Sequence, residues 1–373
     1  MNIFLLVLGI LLFIGLVVVH EWGHFVMARR NGVEVEEFGI GFPPRAWLKR
    51  IKSKKGDYDF TLNWLPLGGF VKLKGENDSD EEPGSFGAAT LSAKIKIMVA
   101  GVFMNLVTAF VLLTIVAFVG IPKLLENQFT VASDTKIIKQ QLFVGYIEEN
   151  SPAKQAGLEV RDQLLAVADT AIEDPEAFPE VTQKYAGQTV DITYLRDGEQ
   201  RTASATLRNA DEVEASKKTD EPKGHLGIAP STYVLQRSTW SAPIVAGGLI
   251  KQFTTETLSG LGRALVNIFQ GEGKKASEQV AGPVGIFVIL KDGSLLGYEF
   301  VLLIIAVISL TLAIMNVLPI PALDGGRLFV TLVFRALRKP LTKNVEDAIH
   351  GTGFALLMVL FVLITVVDVR RFF

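Results

Sequence analysis

His20-Glu21-Trp22-Gly23-His24 sets two imidazoles four residues apart, with a carboxylate between them. On a helix, residues i and i+4 share a face. Both rings can then reach one metal ion, and Glu21 stands beside them to activate a water molecule. The motif ends an almost continuous apolar run, Ile3 to Val19. Ionisable groups in such a run are costly, and they mark function. A bound metal removes the difficulty of burying two rings and a carboxylate without partners. Three polar residues at a water-exposed helix end are the weaker reading.

Cysteine is absent, so disulfides, iron–sulfur clusters and thiolate zinc sites are excluded. Any metal must be held by His, Asp or Glu. Two histidines and a water are one ligand short of a catalytic zinc set. His225 lies in the long middle segment and His350 opens the last apolar stretch. Asp324 is the better candidate for the third ligand. It follows Asn316-Val317-Leu318-Pro319-Ile320-Pro321-Ala322-Leu323 and precedes Gly325-Gly326. Pro319 and Pro321 break the helix, and the two glycines permit a tight turn. Irregular backbone at membrane depth is tolerated only when packed in protein or lining a cavity. The competing reading is an ordinary turn carboxylate. Asn316 could donate a hydrogen bond to a substrate carbonyl or developing oxyanion, or hold the broken backbone. Asn105, beside the small residues Ala100 and Gly101, suits a bond to another helix better than catalysis.

The elements that must position these residues are mostly apolar helices. Of 373 residues, 49% are apolar and 20% charged, and the apolar ones fall in blocks. Net charge is −2, so nothing suggests nucleic acid as a partner. Four segments, 3–28, 97–121, 299–323 and 349–368, suffice to cross a lipid bilayer, which takes about 20 residues. The first is read as a retained span, because no Lys or Arg precedes Arg29 as a leader's basic region would. Arg29, Arg30, Arg45, Lys49, Arg50, Lys52, Lys54 and Lys55 follow the first span, and Arg335, Arg338, Lys339 and Lys343 follow the third. By the positive-inside rule both loops are cytoplasmic, and both termini and the long segment 122–298 are extracytoplasmic. Arg370 and Arg371 oppose this orientation but are outnumbered. His20 and His24 then lie about 26–32 Å along the first span at 1.5 Å per residue, near the cytoplasmic side, where Asp324 also arrives.

Shorter patterns fill the loops. Tyr58, Phe60, Leu62 and Trp64 alternate with polar residues, then Leu65-Pro66-Leu67-Gly68-Gly69 leads into Phe70-Val71-Lys72-Leu73. Period-two alternation about a Pro/Gly turn predicts a β-hairpin. It is either a small structural sheet or an edge, around Gly68, Gly69, Phe70 and Val71, that pairs with an extended peptide. Residues 135–209 read as a compact β-rich domain in which Ser151 caps a short helix that Gly157 ends. Residues 210–223 read as a charged linker, and 240–270 as an amphipathic surface helix. Val280 to Leu290, interrupted by Gly282-Pro283 and Gly285, fits a re-entrant or interfacial loop.

These residues together resemble the site-2 protease family of intramembrane zinc metalloproteases, especially the bacterial regulator-of-sigma-E-protease branch. The likeness covers nearly the whole chain. It is carried by His20-Glu21-Trp22-Gly23-His24, by Asn316 to Gly325, by Pro66-Leu67-Gly68-Gly69-Phe70-Val71, which looks like a membrane re-entrant β-loop, and by Ala281-Gly282-Pro283-Val284-Gly285. Asn150-Ser151-Pro152-Ala153 and Ala156-Gly157-Leu158 resemble a single PDZ domain. Arg161-Asp162 and Asp169-Thr170 stand where relatives often have Gly-Asp and Asn-Gly.

The resemblance implies the following organisation. Residues 1–30 are the first transmembrane helix, 31–94 a cytoplasmic-side loop with the re-entrant hairpin, and 95–121 the second helix. Residues 135–209 are an extracytoplasmic α+β PDZ-like domain, and 210–298 hold a linker, an amphipathic helix and the Gly-Pro element. Residues 299–327 are the third helix with its Leu-Asp-Gly motif, and 349–369 the fourth. The resemblance implies one Zn2+ held by His20, His24 and Asp324, with Glu21 as general base and acid. It also implies substrate contacts at Asn316, Pro319, Pro321 and the hairpin, and a place in the bacterial plasma membrane. Substrates would be transmembrane proteins, such as anti-sigma factors or signal-peptide remnants, and the PDZ-like domain would either take a peptide ligand or block large substrates sterically. A catalytically idle PDZ scaffold and a zinc transporter are the rivals. Neither needs Glu21, and a transporter needs ligands along a path that the other spans do not offer.

Overall fold

The computed structural model describes residues 3–218 and 222–373; residues 1 and 2 of the first expected span and 219–221 of the expected linker lie outside the described residues. The chain forms two units, one of Met1–Val119, Phe129–Val131 and Trp240–Phe373, the other of Gly120–Gln128 and Ala132–Thr239.

The first unit begins with α1 (Ile3–Arg30), whose last turn carries Arg29 and Arg30, where cations suit the negative end of the helix dipole. Strands β1 (Val35–Ile51) and β2 (Tyr58–Leu73) follow, then α2 (Leu91–Val119). Each strand bends and is used twice. Phe38 pairs with both Val71 and Phe60, while Trp47 pairs with Leu62 and Ile51 with Tyr58. The sheet therefore runs, from edge to edge, through residues 45–51, 58–63, 35–40 and 69–73. The alternating pattern had predicted that Tyr58–Trp64 and Phe70–Leu73 pair with each other. Instead Val35–Ile40 lies between them. Gly39 makes room for this arrangement, since a Cβ there would lie 2.4 Å from the Phe70 ring. Gly68 supplies a left-handed turn, with φ +89°. Ala28, Val33, Val35, Leu73, Phe86, Ile97 and Met98 form the core that joins the end of α1, the sheet and α2.

The second unit is built on one antiparallel sheet. Its elements are β3 (Ile121–Pro122), β4 (Lys136–Ile147), α3 (Pro152–Gln155), β5 (Gln163–Val167), β6 (Thr170–Ala171), α4 (Phe178–Lys184), β7 (Thr189–Arg196), β8 (Glu199–Thr206), α5 (Ala210–Ser216) and β9 (Ile228–Arg237). Strand order is β3-β9-β4-β5-β7-β8, with β6 on β5. The unit extends past residue 209 because β9 pairs along β4 from Ile147 to Lys136. The Ser151 hydroxyl accepts from the Lys154 N–H at 3.2 Å, capping α3, and Gly157 closes it at φ +77°. Asp197 and Gly198, at φ +53° and +85°, make the tight β7–β8 turn, the combination that two-residue hairpins favour. Arg161 holds φ +79°, a left-handed conformation that glycine adopts more readily than a residue with a side chain.

The adjoining Asp162 is 1% exposed. It accepts from Arg196 Nε and Nη2 at 2.7 and 2.6 Å and from the Glu159 N–H at 2.8 Å.

The first unit resumes with α6 (Ala242–Phe269), α7 (Gly273–Glu278), α8 (Pro283–Leu296), α9 (Tyr298–Val317), α10 (Asp324–Ala336) and α11 (Lys343–Phe372). Helices α1, α2, α9 and α11 are long and apolar enough to cross a membrane. Leu6 and Leu16 of α1 pack with Leu290, Val301 and Ile305. The Gly-Pro stretch, expected as a loop, is the start of α8. Pro283 occupies the first turn, where its missing N–H is harmless. The buried Asp368 of α11 accepts the Gly285 N–H at 2.7 Å, satisfying one of the free donors of that turn. The third expected span divides at 318–323 into apolar α9 and the shorter, strongly two-faced α10.

The Asp162–Arg196 pair sets one expected outcome. Arg196→Met leaves a buried carboxylate without its cation and should destabilise the second unit by about 3 kcal/mol. Amide hydrogen exchange of β5 and β7 in the full-length protein measures this; unchanged protection would contradict it.

Candidate metal centre

His20 and His24 stand one turn apart on α1, and Asp324 is the first residue of α10. The His20 and His24 Nε2 atoms lie 3.1 and 3.2 Å from Asp324 Oδ2 and 3.2 Å from each other. A tetrahedral zinc site with bonds of 2.0–2.1 Å separates its ligand atoms by about 3.3 Å, so this triangle matches one face of such a site. Two further observations fit a cation. Asp324 Oδ2 is buried and makes no hydrogen bond of acceptable geometry among the described residues. Two ring nitrogens and a carboxylate oxygen this close repel unless a proton or a metal cation lies among them. The donor set of two nitrogens and one oxygen is one that zinc accepts, with a position left open.

The far side of each ring is fixed. His24 Nδ1 lies 2.8 Å from the Ile97 carbonyl, which accepts its proton and leaves the Nε2 lone pair for a metal. His20 Nδ1 lies 3.1 Å from the amide of Asn105 on α2. The Asn105 Oδ1 is buried without a partner. Turning the amide so that Oδ1 faces Nδ1 gives the ring an acceptor. Asn105 had been read as a helix-packing residue. Its backbone carbonyl does meet another helix, accepting from Ser309 Oγ at 2.8 Å, but its side chain reaches the motif histidine. The sequence signal was its spacing from Gly101, four residues on one helix face. A Cβ on Gly101 would lie 2.4 Å from His24 Nε2 and 2.6 Å from His20 Cε1. One on Gly23 would lie 2.6 Å from the Ala100 carbonyl oxygen. These two glycines let the backbones of α1 and α2 close around the rings.

Glu21 meets the sheet. Its carboxylate takes a hydrogen bond from the backbone N–H of Val71. A Cβ on Gly69 would lie 3.5 Å from Glu21 Cγ. The edge segment 69–73 thus runs past the glutamate of the motif, with Gly68 turning the chain into it. Glu21 also feels the charges of His20, His24 and Asp324.

The connection from Asn316 to Asp324 differs in detail from its expected form. Asn316 occupies the last turn of α9, and Pro319 and Pro321 lie in the break. The group that could hold a metal ion comprises His20, His24 and Asp324 without them. The left-handed residue is Ala322, at φ +76°, while Gly325 and Gly326 are helical. Those glycines serve close approach: a Cβ on Gly325 would lie 2.3 Å from the Val317 carbonyl oxygen, and one on Gly326 1.9 Å from that of Ile320. The break is folded back against the end of α9, which brings Asp324 to the histidines.

Known proteins resemble this chain over nearly its whole length. A Clostridium perfringens chain named as a zinc metalloprotease is 32% identical over 371 residues, covering 98% of both chains. Zinc metalloprotease RasP of Shouchella clausii is 27% identical, with 98% of each chain covered. The protein of the same name from Oceanobacillus iheyensis is 25% identical, again over 98% of each. The sequence profile of peptidase family M50 matches residues 8–360. With its helices long enough to span a bilayer and a zinc-compatible group on the first of them, the chain is an integral-membrane zinc metalloprotease and belongs to peptidase family M50.

Proposed function

We propose that this protease cleaves transmembrane segments of other membrane proteins, at a centre held by His20, His24 and Asp324. One observation carries the reading: Glu21 sits between the three converging ligand atoms and the free edge of a β-sheet. A zinc ion, when bound there, polarises the scissile carbonyl and makes water acidic enough to attack at neutral pH. Glu21 takes the proton of the attacking water and returns it to the leaving amine. The Ile97 carbonyl and Asn105 keep the imidazoles in the tautomer that presents Nε2. Asn316, in the turn before the break, is our candidate donor to the substrate carbonyl or its oxyanion.

A transmembrane substrate hides its peptide bonds in its own helical ladder. An unwound stretch leaves those backbone groups unsatisfied in lipid. Strand addition along Gly69–Val71 would satisfy them and lay an extended chain beside Glu21. Exposed Phe42, Trp47, Leu62, Trp64 and Leu65 on the same sheet suit its insertion into the membrane from the cytoplasmic side. The basic loops favour that side lying inside the cell and both termini outside. The second unit, with its Ser151 cap, its short helices and a β9 edge from Ile228 to Thr232 that among the described residues is paired only with β4, supports a PDZ-like domain that takes an extended peptide by the same strand addition. Anti-sigma factors and signal-peptide remnants are the substrates that the family resemblance favours.

Reconstituted with a single-span substrate, wild-type protein should cleave and Glu21→Gln should lose at least about 100-fold in rate while keeping its zinc. Equal rates would remove Glu21 from the mechanism, and absence of cleavage by both would favour the idle scaffold. Gly101→Val should abolish stoichiometric zinc, measured by metal analysis, because its side chain displaces both rings. Gly69→Pro should slow cleavage about tenfold or more with zinc retained; loss of zinc in that variant would count against strand addition.

A further inference from the structure

The turn that carries Asp324 is gripped from outside the metal group, by α11. Ala322 is left-handed, a conformation that a residue with a Cβ keeps only when its surroundings hold it there. Its backbone N–H donates to His350 Nδ1 at 3.2 Å. His350 Nε2 is enclosed and has no partner among the described residues, so the ring's polar contact is made through Nδ1. One turn further along α11 the helix touches the same connection. A Cβ on Gly353 would lie 2.4 Å from Pro321 Cβ and 2.6 Å from the Pro321 carbonyl oxygen. One turn earlier, Glu346 is 3% exposed, accepts the Asp78 N–H at 2.8 Å and lies 3.8 Å from Arg327 Nε. Arg327 follows Asp324 by one turn of α10, and its guanidinium also donates to the Glu76 carbonyl. Glu346, His350 and Gly353 are four and three residues apart, one stripe on one helix.

We propose that His350 is a positioning residue for the metal centre. By accepting the Ala322 N–H it holds the left-handed turn that aims Asp324 Oδ2 at His20 and His24. This rests on Asp324 being a zinc ligand. Glu346, through Arg327, and Gly353, through Pro321, fix the same turn on either side. Without the acceptor, Ala322 relaxes toward an ordinary φ and the carboxylate swings off the histidine pair. The stripe also ties the fourth long helix to a metal ligand, so a displacement of α11 reaches the site directly.

The experiment compares full-length wild type, His350→Phe, His350→Asn and Asp324→Ala in detergent. Zinc affinity is read by chelator competition, and ligand geometry by the visible absorption of the cobalt(II) form. His350→Phe should weaken zinc binding about tenfold or more and alter the cobalt spectrum. His350→Asn, whose Oδ1 can accept the same N–H, should recover to within about threefold of wild type. Wild-type affinity and spectrum in His350→Phe, with zinc lost in Asp324→Ala, would overturn this proposal alone. Equal losses in the Phe and Asn variants would overturn it too, because packing and not the hydrogen bond would then matter. Wild-type affinity in Asp324→Ala would bring down the ligand assignment and this proposal together.

Discussion

Two imidazoles and two carboxylates on or beside apolar helices are stable only if their charges and lone pairs are matched, and the rest of the first unit follows from that demand. In water the groups of His20, Glu21, His24 and Asp324 would be solvated. At membrane depth each needs a partner from the protein or a metal. The structure supplies them all locally. Ile97 and Asn105 serve the outer ring nitrogens, Val71 serves Glu21, and the inner nitrogens converge with Asp324 on a space of zinc dimensions.

Meeting that demand requires backbones to approach more closely than ordinary side chains allow. Gly23 and Gly101 bring α1 and α2 together at the rings, Gly325 and Gly326 fold the connection against the end of α9, and Gly353 brings α11 against Pro321. The polar contacts and the glycines are two halves of one arrangement. A Cβ at Gly101 would occupy the space of the imidazoles themselves, so the metal group depends on what is missing from the neighbouring helix as much as on the ligands.

Much of this was legible from local pattern. Four long apolar runs announced four long helices, and the four-residue spacing of His20 and His24 put both on one face. Two prolines before Asp324 marked a break that the structure places at 318–323. What was not legible depends on contacts distant in sequence. Residues 58–64 and 70–73 carry a hairpin pattern, but nothing in that stretch says that Val35–Ile40 will insert between them. Gly282-Pro283 reads as a loop, but Pro283 starts α8, where Asp368, 83 residues from Gly285, accepts the Gly285 N–H. The reach of Asn105 to His20 spans 85 residues. Gly325 and Gly326 were read as turn formers because glycine permits positive φ. The strained residue proved to be Ala322, since the glycines answer to space and not to φ.

X-ray absorption at the zinc edge of the purified, zinc-loaded protein tests the central claim most directly. The account predicts a four-coordinate nitrogen and oxygen shell at about 2.0–2.1 Å with the outer-shell scattering of two imidazoles. A shell of oxygens alone, or one with a single imidazole, would contradict it.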